Sequence, residues 1–511
     1  MKKASDILKV IQPVQLMGRF DGRIGRLTID SRQVRSGDVF MAIPGTATDG
    51  HNYIGAALRN GAGVIIAERL PCDDPLIPDP ESSDTPYLFI QVSNTRDIAG
   101  DLAQAFAGHP SRTMKMVGIT GTNGKTTVAT LVYQVLRTLG YNSGLLSTVD
   151  TRVGDKVRPS KLTTPDPVSL AVTLKDMVRV DTAFALMEVS SHALEQKRVN
   201  GIRFHAAAFT NISQDHLDYH QDMESYIEAK KKLFDMLDSR SIAIINRDDP
   251  ASYRVTDGCR ADIWEFGFRD RSDFRILDQS SDGMVLDLDG MIVSSPLAGR
   301  YNAYNVAQAY LICLALGCTK NSVAAALCDA PGAAGRLERV VSEASHPMVF
   351  VDYAHTPDAL ENVLKALLQV REPDEKVHVV FGCGGDRDRS KRPEMGHIAD
   401  QYADIITLTS DNPRSENPDA IIRDIRKGIV RNDRLYLESD RRKAIRSAIL
   451  ESDTRTIVLI AGKGHEAYQE IHGRRLRFDD RNVASGALRE WGSRRFYKAG
   501  RRVRTKNDGE N

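Results

Sequence analysis

The sequence predicts an α/β protein of three domains, with a central P-loop nucleotide-binding domain on a mostly parallel sheet and a Rossmann-like C-terminal domain. Three observations point there. From about residue 112 onward, apolar runs of strand length alternate with stretches of helical periodicity. A glycine-rich segment, Val117-Gly118-Ile119-Thr120-Gly121-Thr122-Asn123-Gly124-Lys125-Thr126-Thr127, stands between one such strand and one such helix. At 511 residues the chain exceeds one ordinary core, since a domain holds ~150 residues.

The first domain is read over 1–108, where apolar runs at 39–43 and 63–67 are separated by turn signals. Residues 71–86, rich in Pro, Asp and Ser, read as a long surface loop, and Gly108-His109-Pro110-Ser111 as a linker. The central domain is expected over 109–333, with further strands at 184–189 and 242–246. The C-terminal domain is expected over 334–494, with strands at 348–352, 377–381, 405–409 and 457–461, each followed by a loop dense in charge, Gly or Pro. The segment 495–511 is basic, then polar, and reads as a solvated, disordered tail.

Composition excludes several classes. A hydrophobic fraction of 41% with 27% charged residues describes a soluble globular chain. Lys+Arg 69 against Asp+Glu 68 leaves a net charge of +1, which gives no electrostatic case for nucleic acid or a membrane surface. Six cysteines without a Cys-x-x-Cys pair suggest reduced thiols rather than a zinc site or disulfide framework. Asp6 and Lys9 interrupt any apolar run after Met-Lys-Lys, so no signal peptide is expected, and no stretch has the length of a membrane span. These readings favour a cytoplasmic monomer acting on small molecules, with no nucleic-acid partner and no membrane insertion.

The glycine-rich segment has a phosphate as its natural ligand. Its glycines allow a tight turn with inward-facing N–H groups, Lys125 adds a positive charge, and the Thr126 hydroxyl is a ready Mg²⁺ ligand. Behind it Val128, Leu131, Val132, Val135, Leu136 and Leu139 form one helical face, with Gly140 placed to stop the helix. Ile119 stands where the usual pattern has glycine, which makes this a variant P-loop. Gly121, Thr122, Asn123, Gly124, Lys125, Thr126 and Thr127 are the candidate nucleotide contacts.

Two later clusters fit nucleotide chemistry. Met187-Glu188-Val189-Ser190-Ser191-His192 places a carboxylate and hydroxyls at a strand end, and Asn211-Ile212-Ser213-Gln214-Asp215-His216-Leu217-Asp218-Tyr219-His220 crowds acids and imidazoles into a loop. Mg²⁺ is a hard ion that takes oxygen ligands and tolerates an occasional imidazole, so Glu188 and His216 join Thr126 as candidate ligands, directly or through water.

The segments 120–127, Glu188-Val189-Ser190-Ser191-His192 and Asp215-His216-Leu217-Asp218-Tyr219-His220 together resemble the Mur ligase family. These are ATP-dependent amide-bond-forming enzymes of bacterial cell-wall precursor synthesis. The resemblance runs from Asp30-Ser31-Arg32 to Phe478-Asp479-Asp480-Arg481, through Gly299-Arg300-Tyr301-Asn302-Ala303-Tyr304-Asn305, Gly335-Arg336-Leu337-Glu338 and Asp352-Tyr353-Ala354-His355-Thr356-Pro357. It implies that Lys230, in Glu228-Ala229-Lys230, is carbamylated; Lys231 and Lys232 sit beside it and fit a solvated basic face. It also implies nucleotide contacts from Asn302, Asn305, Arg336 and Asp352, with the C-terminal domain closing on the central one.

Three stretches resemble the branch that adds the third residue, forming UDP-N-acetylmuramoyl-tripeptide. By that resemblance Ile29, Ser31, Thr46, Ala47 and Thr48 would hold the uridine nucleotide, and Thr163, Thr164, Ser190, Gln196 and Arg198 the muramoyl-dipeptide end. Leu162 occupies a position where some relatives have asparagine. Asp411-Asn412-Pro413-Arg414 resembles the signature of enzymes that add meso-diaminopimelate. Diaminopimelate carries a second carboxylate that lysine lacks, and a guanidinium grips a carboxylate through two parallel hydrogen bonds. Arg414 would supply that grip, Arg387 a second one, and Gly462 with Glu466 would complete the pocket, Glu466 facing an ammonium. The implied reaction phosphorylates the D-glutamate γ-carboxylate of UDP-N-acetylmuramoyl-L-Ala-D-Glu with ATP, and the amine then displaces phosphate. Rival readings are the same reaction with L-lysine, a neighbouring amide ligase, and a P-loop switch or motor protein.

Overall fold

The computed structural model describes residues 3–45, 48–70, 77–80, 87–213, 220, 222–269, 273–340 and 347–507, with side chains described as far as 493. Among the described residues twenty-four strands are interspersed with helices, as the periodicity predicts. The first five, β1 (Gln15–Gly18), β2 (Leu27–Thr28), β3 (Val39–Met41), β4 (Val64–Ala67) and β5 (Leu88–Gln91), form one sheet in the order β1-β5-β4-β3-β2. All its neighbours are parallel except β1 with β5. Val39, Val64 and Ile66 point to one face, and Phe40, Ile65 and Phe89 to the other, so both faces are buried.

The second sheet contains β6 (Lys115–Thr120), β7 (Ser143–Leu146), β8 (Asp150–Val153), β9 (Lys156–Pro159), β10 (Phe184–Glu188), β11 (Ala206–Phe209), β12 (Ile242–Asn246) and β13 (Asp262–Phe266), ordered β13-β12-β11-β6-β10-β7-β8-β9. Six neighbouring strands run parallel, β8 runs against them beside β7, and β9 runs against β8. β6 lies between β11 and β10, which leave it in opposite directions along the sheet. That is a topological switch point, where open α/β sheets bind ligands beyond the strand C-termini. The helix Lys125–Thr138 starts there and buries Val128, Leu131, Val132, Val135 and Leu136. Gly140, at φ +84°, ends it as expected.

β14 (Phe274–Ser280), β15 (Gly283–Leu288) and β16 (Met291–Ser295) form an antiparallel meander. The last large sheet holds β17 (Glu338–Arg339), β18 (Met348–Asp352), β19 (Lys376–Phe381), β20 (Ile405–Leu408), β21 (Leu435–Leu437) and β22 (Thr456–Ala461), ordered β17-β18-β22-β19-β20-β21. It is parallel apart from β17. β22 is buried along its whole length between two apolar layers, with Ile457 and Leu459 on one side and Val458 and Ile460 on the other. A hairpin, β23 (Tyr468–Ile471) with β24 (Arg474–Arg477), follows it.

By contacts the chain divides into two compact units, Met1–Gly267 with Leu311–Cys318, and Phe268–Tyr310 with Thr319–Asn511. The expected boundary at 108/109 therefore falls between two sheets of the first unit. There the Cα of Gly100 lies so close to residue 200 that an added Cβ would sit 2.2 Å from the Asn200 carbonyl. The second unit begins with the β14–β16 meander, where Arg339 pairs with Asp282, and the expected boundary at 333/334 lies within that unit. The long helix Asp480–Asn507 runs through the stretch expected to be a disordered tail. Most of the expected surface loop 71–86 lies outside the described residues. Among the described residues no helix is long and apolar enough to cross a membrane.

Candidate active site

In the first unit the loop after β6 is shaped by two glycines. Gly121 has φ +143°, and a Cβ there would meet Thr210 Oγ1 at 1.9 Å; Gly124, at φ +87°, is the residue before the helix Lys125–Thr138. No side chain caps that helix, so its first N–H groups and dipole are arranged for an anion. The loop after β11 braces the turn. Thr122 N donates to Asn211 O at 2.8 Å, Asn123 N to Asn211 Oδ1 at 3.1 Å, and Thr210 Oγ1 to Asn123 O at 2.6 Å. Thr127 is buried in the first helical turn.

Lys125 Nζ folds back over the loop, donating to Gly121 O at 2.9 Å and Thr122 O at 2.7 Å. Lys230 reaches the same carbonyl from the helix Met223–Asp235, at 2.8 Å, and is only 1% exposed. Its ammonium lies 4.2 Å from the Tyr226 ring centroid, and Tyr226 OH is 3.2 Å from Thr122 Oγ1. Lys231 and Lys232 instead pair with Asp235 and Glu195 at the surface. Of the three lysines, the fold brings only Lys230 to the loop.

Glu188, the last residue of β10, is fully buried one strand away. Its Oε2 accepts from Thr126 Oγ1 at 2.9 Å and Thr148 Oγ1 at 3.1 Å, and its Oε1 from Thr148 N at 2.7 Å. A carboxylate and two hydroxyls are hard oxygen donors, so this set fits Mg²⁺ chemically. His216 lies outside the described residues; its neighbour His220 is buried, with Nε2 2.9 Å from Ser191 Oγ. Among the described residues no three His, Cys, Asp or Glu side chains cluster as a metal site.

A cavity of about 890 Å³ is lined by Ile29, Ser31 and Thr48 from the first sheet's loops and by Leu162, Gln196 and Arg198 from the second's. Thr46 and Ala47 lie outside the described residues. Behind its wall the buried Thr164 reaches the main chain of Glu188: Thr164 Oγ1 donates to Glu188 O at 2.8 Å and accepts from Ser190 N at 3.1 Å. Thr163 Oγ1 lies 3.1 Å from Thr148 Oγ1, and Arg198 donates to Thr164 O at 2.9 Å and Gln196 Oε1 at 2.7 Å. At the rim the Arg32 guanidinium holds the Asp30 carboxyl down at about 2.

In the second unit the loops after β18, β19, β20 and β22 converge. Asp411 and Asn412 are buried, Pro413 follows, and Arg414 takes a left-handed φ of +51°. Arg414 is held by the hairpin: its N donates to Glu470 O at 3.0 Å, its Nη1 to Gly385 O at 2.6 Å, and its Nε lies 3.7 Å from Glu470 Oε2. Arg387 is exposed, its stem passing Gly384 beside Arg414. Gly462 has φ +117°, and a Cβ there would fall 2.5 Å from Asp411 Oδ2. Glu466 Oε2 accepts from Asn412 Nδ2 at 2.8 Å and Lys463 Nζ at 3.0 Å.

The remaining sequence candidates in this unit form a buried polar group. Asn302 Nδ2 donates to Ala298 O at 2.8 Å, and Asn305 Nδ2 to Asn302 Oδ1 at 2.9 Å. Asp352 ends β18 and accepts from Leu337 N at 2.6 Å and Ala354 N at 2.8 Å. Burial pushes its carboxyl above the ordinary range, opposed by Arg336 and the two amides. The Arg336 guanidinium stacks 4.7 Å from the Tyr353 ring centroid.

Sequence reasoning gave no role to Thr148, Tyr226, Lys463 and Glu470. Thr148 had a signal, since it follows a strand as Ser147-Thr148-Val149-Asp150. Glu470 had none, because only the hairpin's path brings it to Arg414.

A switch-point P-loop with a buried strand-end carboxylate defines the class, an α/β phosphate-binding protein. Comparison narrows it. The Mur ligase family catalytic-domain model matches residues 23–107, the Mur ligase middle-domain model residues 119–313, and the Mur ligase glutamate ligase domain model residues 335–464. The chain belongs to the Mur ligase family. It is 41% identical over 485 residues to the UDP-N-acetylmuramoyl-L-alanyl-D-glutamate–2,6-diaminopimelate ligase of Bacteroides fragilis, covering 94% of this chain and 98% of that protein. A solved structure of a ligase of that name is 31% identical, with a TM-score of 0.68 over 96% of this chain and 99% of the other. The MurF ligase of Thermotoga maritima, solved with ADP, shares the fold at 20% identity and a TM-score of 0.59, over 93% of this chain and 98% of the other.

Proposed function

We propose that the protein is an ATP-dependent amide ligase that adds meso-2,6-diaminopimelate to UDP-N-acetylmuramoyl-L-Ala-D-Glu in peptidoglycan precursor synthesis. The observation that supports it most is the cavity shared by the loops of Ile29, Ser31 and Thr48 with Gln196 and Arg198, because Arg198 on its wall donates to Thr164 O and the buried Thr164 hydroxyl donates in turn to the main-chain carbonyl of Glu188 beside the P-loop. An acyl acceptor held in that cavity would present its carboxylate to the phosphate-binding centre.

A carboxylate is a poor acyl donor because oxide would have to leave. Transfer of the ATP γ-phosphoryl group to the D-glutamate γ-carboxylate gives an acyl phosphate and ADP. The diaminopimelate amine, arriving unprotonated, then forms the C–N bond, phosphate leaves with the C–O electron pair, and the nitrogen gives up its extra proton, which the departing phosphate can take. Within this reading the loop N–H groups and Lys125 hold the phosphates, and Thr126 with Glu188 and His216 would hold Mg²⁺, which supplies charge neutralisation between the two anions. A carbamate on Lys230 would add negative oxygens to the same centre. Arg198 and Gln196 orient the dipeptide end, while Arg414, Asn412 and Glu466 select the amine by pairing a guanidinium with its extra carboxylate and a carboxylate with its ammonium.

Phosphate release from ATP and Mg²⁺ with UDP-N-acetylmuramoyl-L-Ala-D-Glu tests this, comparing meso-diaminopimelate, L-lysine and no amine. Turnover only with diaminopimelate is expected. Equal turnover with lysine discards the role given to Arg414, and equal turnover without amine discards the ligase reading.

A further inference from the structure

Lys463 lies in the Gly462-Lys463-Gly464-His465-Glu466 loop after β22, the strand buried on both faces at the middle of the second unit's sheet. Glycines flank it on both sides for steric reasons. A Cβ at Gly462 would meet Asp411 Oδ2 at 2.5 Å, and one at Gly464 would meet Gly335 O and Tyr353 Cβ, both at 2.7 Å. The backbone is thereby pinched between neighbouring loops, and the lysine between the glycines is turned inward. Its side chain has 0% exposure.

A buried ammonium costs several kcal/mol of desolvation unless it is paired and hydrogen-bonded. Lys463 Nζ donates to Asn412 Oδ1 and Glu466 Oε2, each at 3.0 Å, lies 3.9 Å from Asp411 Oδ1, and sits 5.4 Å from the Tyr468 ring centroid. These partners are the residues expected to read the amine substrate. Asn412 Oδ1 also accepts from Glu470 N at 2.9 Å, so with two donors on its oxygen the amide has one orientation, and its Nδ2 is directed at Glu466 Oε2. Lys463 thus fixes both the Asn412 amide and the Glu466 carboxylate. It is also the cation shared by Asp411 and Glu466; the other groups facing them are Arg441 from the helix Arg441–Glu451, Tyr353 after β18 and Tyr468 on β23, with Arg414 and Glu470 paired beyond.

We infer that Lys463 is a specificity-determining positioning residue for the diamino acid: its buried ammonium pre-sets Asn412 and Glu466 and lets two carboxylates stand side by side in the amine pocket. This rests on the ligase reading above, deepening the account of its amine site. Lys463 does not touch the reacting atoms; it acts through the groups that hold the substrate.

The test is steady-state kinetics of the full-length enzyme and its Lys463→Met and Lys463→Arg variants, with thermal midpoints measured alongside. For Lys463→Met the KM for meso-diaminopimelate should rise about 10- to 100-fold, while the KM values for ATP and UDP-N-acetylmuramoyl-L-Ala-D-Glu stay within about 2-fold. Lys463→Arg, which keeps the charge and the donors, should recover part of that loss. In a double-mutant cycle, Glu466→Gln should cost less in the Met background than in the parent enzyme. Equal changes in all three KM values with a lowered thermal midpoint, or additive effects of the two substitutions, would overturn the inference. If Lys463→Met does not fold, the Arg variant and the parent's own Glu466→Gln comparison still decide: an unchanged amine KM in both sinks it. Failure of the ligase reading shows separately, as phosphate release by the parent enzyme that does not depend on the amine.

Discussion

Lys125 and Lys230 converge on one atom: both ammonium groups donate to the Gly121 carbonyl, at 2.9 and 2.8 Å, from helices whose nearest ends, Thr138 and Met223, lie 85 residues apart in sequence. Two like charges on one acceptor repel, and converting Lys230 to a carbamate replaces that repulsion by attraction toward Lys125 and any bound metal. In protein equilibrated with ¹³C-bicarbonate, a carbamate carbon resonance is therefore expected that disappears in Lys230→Arg and persists in Lys231→Arg. Its persistence in Lys230→Arg would remove the assignment.

Glu188 accepts three hydrogen bonds and has no solvent of its own. Glu188→Gln keeps the shape but turns an amide N–H₂ toward donors, so stability should fall by ~1–3 kcal/mol. Phosphate release should drop by about 10²- to 10³-fold, as for the loss of one electrostatic contact to a transferring group. A variant with near-parent turnover would remove Glu188 from the chemistry.

Gly121 and Gly140 both have positive φ, yet only the first is crowded: a Cβ at 121 meets Thr210 Oγ1 at 1.9 Å, whereas at 140 nothing lies within 4 Å. Gly140→Ala should therefore cost only about 1 kcal/mol of backbone strain, with ADP affinity retained. Gly121→Ala should cost more and abolish ADP binding in calorimetry. Equal behaviour of the two would show that loop shape is not what holds the nucleotide.

Arg414 is poised by Gly385 O and Glu470 rather than left as a solvated surface charge. Arg414→Lys should raise the KM for meso-diaminopimelate by about 10- to 100-fold, because an ammonium cannot reproduce a two-pronged grip. Any turnover with L-lysine should change little. An equal loss for both amines would mean that Arg414 shapes the pocket without reading the carboxylate.

His378 is buried in β19 with Nε2 2.8 Å from Thr407 Oγ1, and burial pushes its imidazole down to about 4. An unfolded histidine titrates near ~6.5, so above that pH both states are neutral and the full stability is present. As pH falls from ~6.5 toward about 4 the unfolded chain binds a proton that the native protein refuses, and stability is lost by up to ~3 kcal/mol. The urea midpoint should decline across that window, and decline less in His378→Gln, which can still bond Thr407. Identical slopes would show that other groups set the acid response.

The alternation of strands and helices was legible because each period is local. The runs at 184–189, 242–246, 348–352 and 457–461 needed only apolar residues of strand length to be found, and they stand in the fold within a residue or so as Phe184–Glu188, Ile242–Asn246, Met348–Asp352 and Thr456–Ala461. The P-loop was equally legible, since its glycines, lysine and threonine lie within one turn of chain. Where the β14–β16 meander packs was not, because its neighbours are set by contacts distant in sequence, such as that of Arg339 with Asp282.

By itself the sequence determined the elements, the phosphate-binding loop and the family to which the motifs point, all properties of residues close together along the chain. Which lysine among Lys230, Lys231 and Lys232 reaches that loop follows from the side of the helix Met223–Asp235 that is buried. That Thr148 holds Glu188, and that Glu470 and Lys463 hold the Arg414 and Asn412 loop, only the tertiary structure decided. The reason is physical: a side chain's partner is set by what the sheet order brings alongside it, and no local pattern encodes a neighbour that lies forty or more residues away.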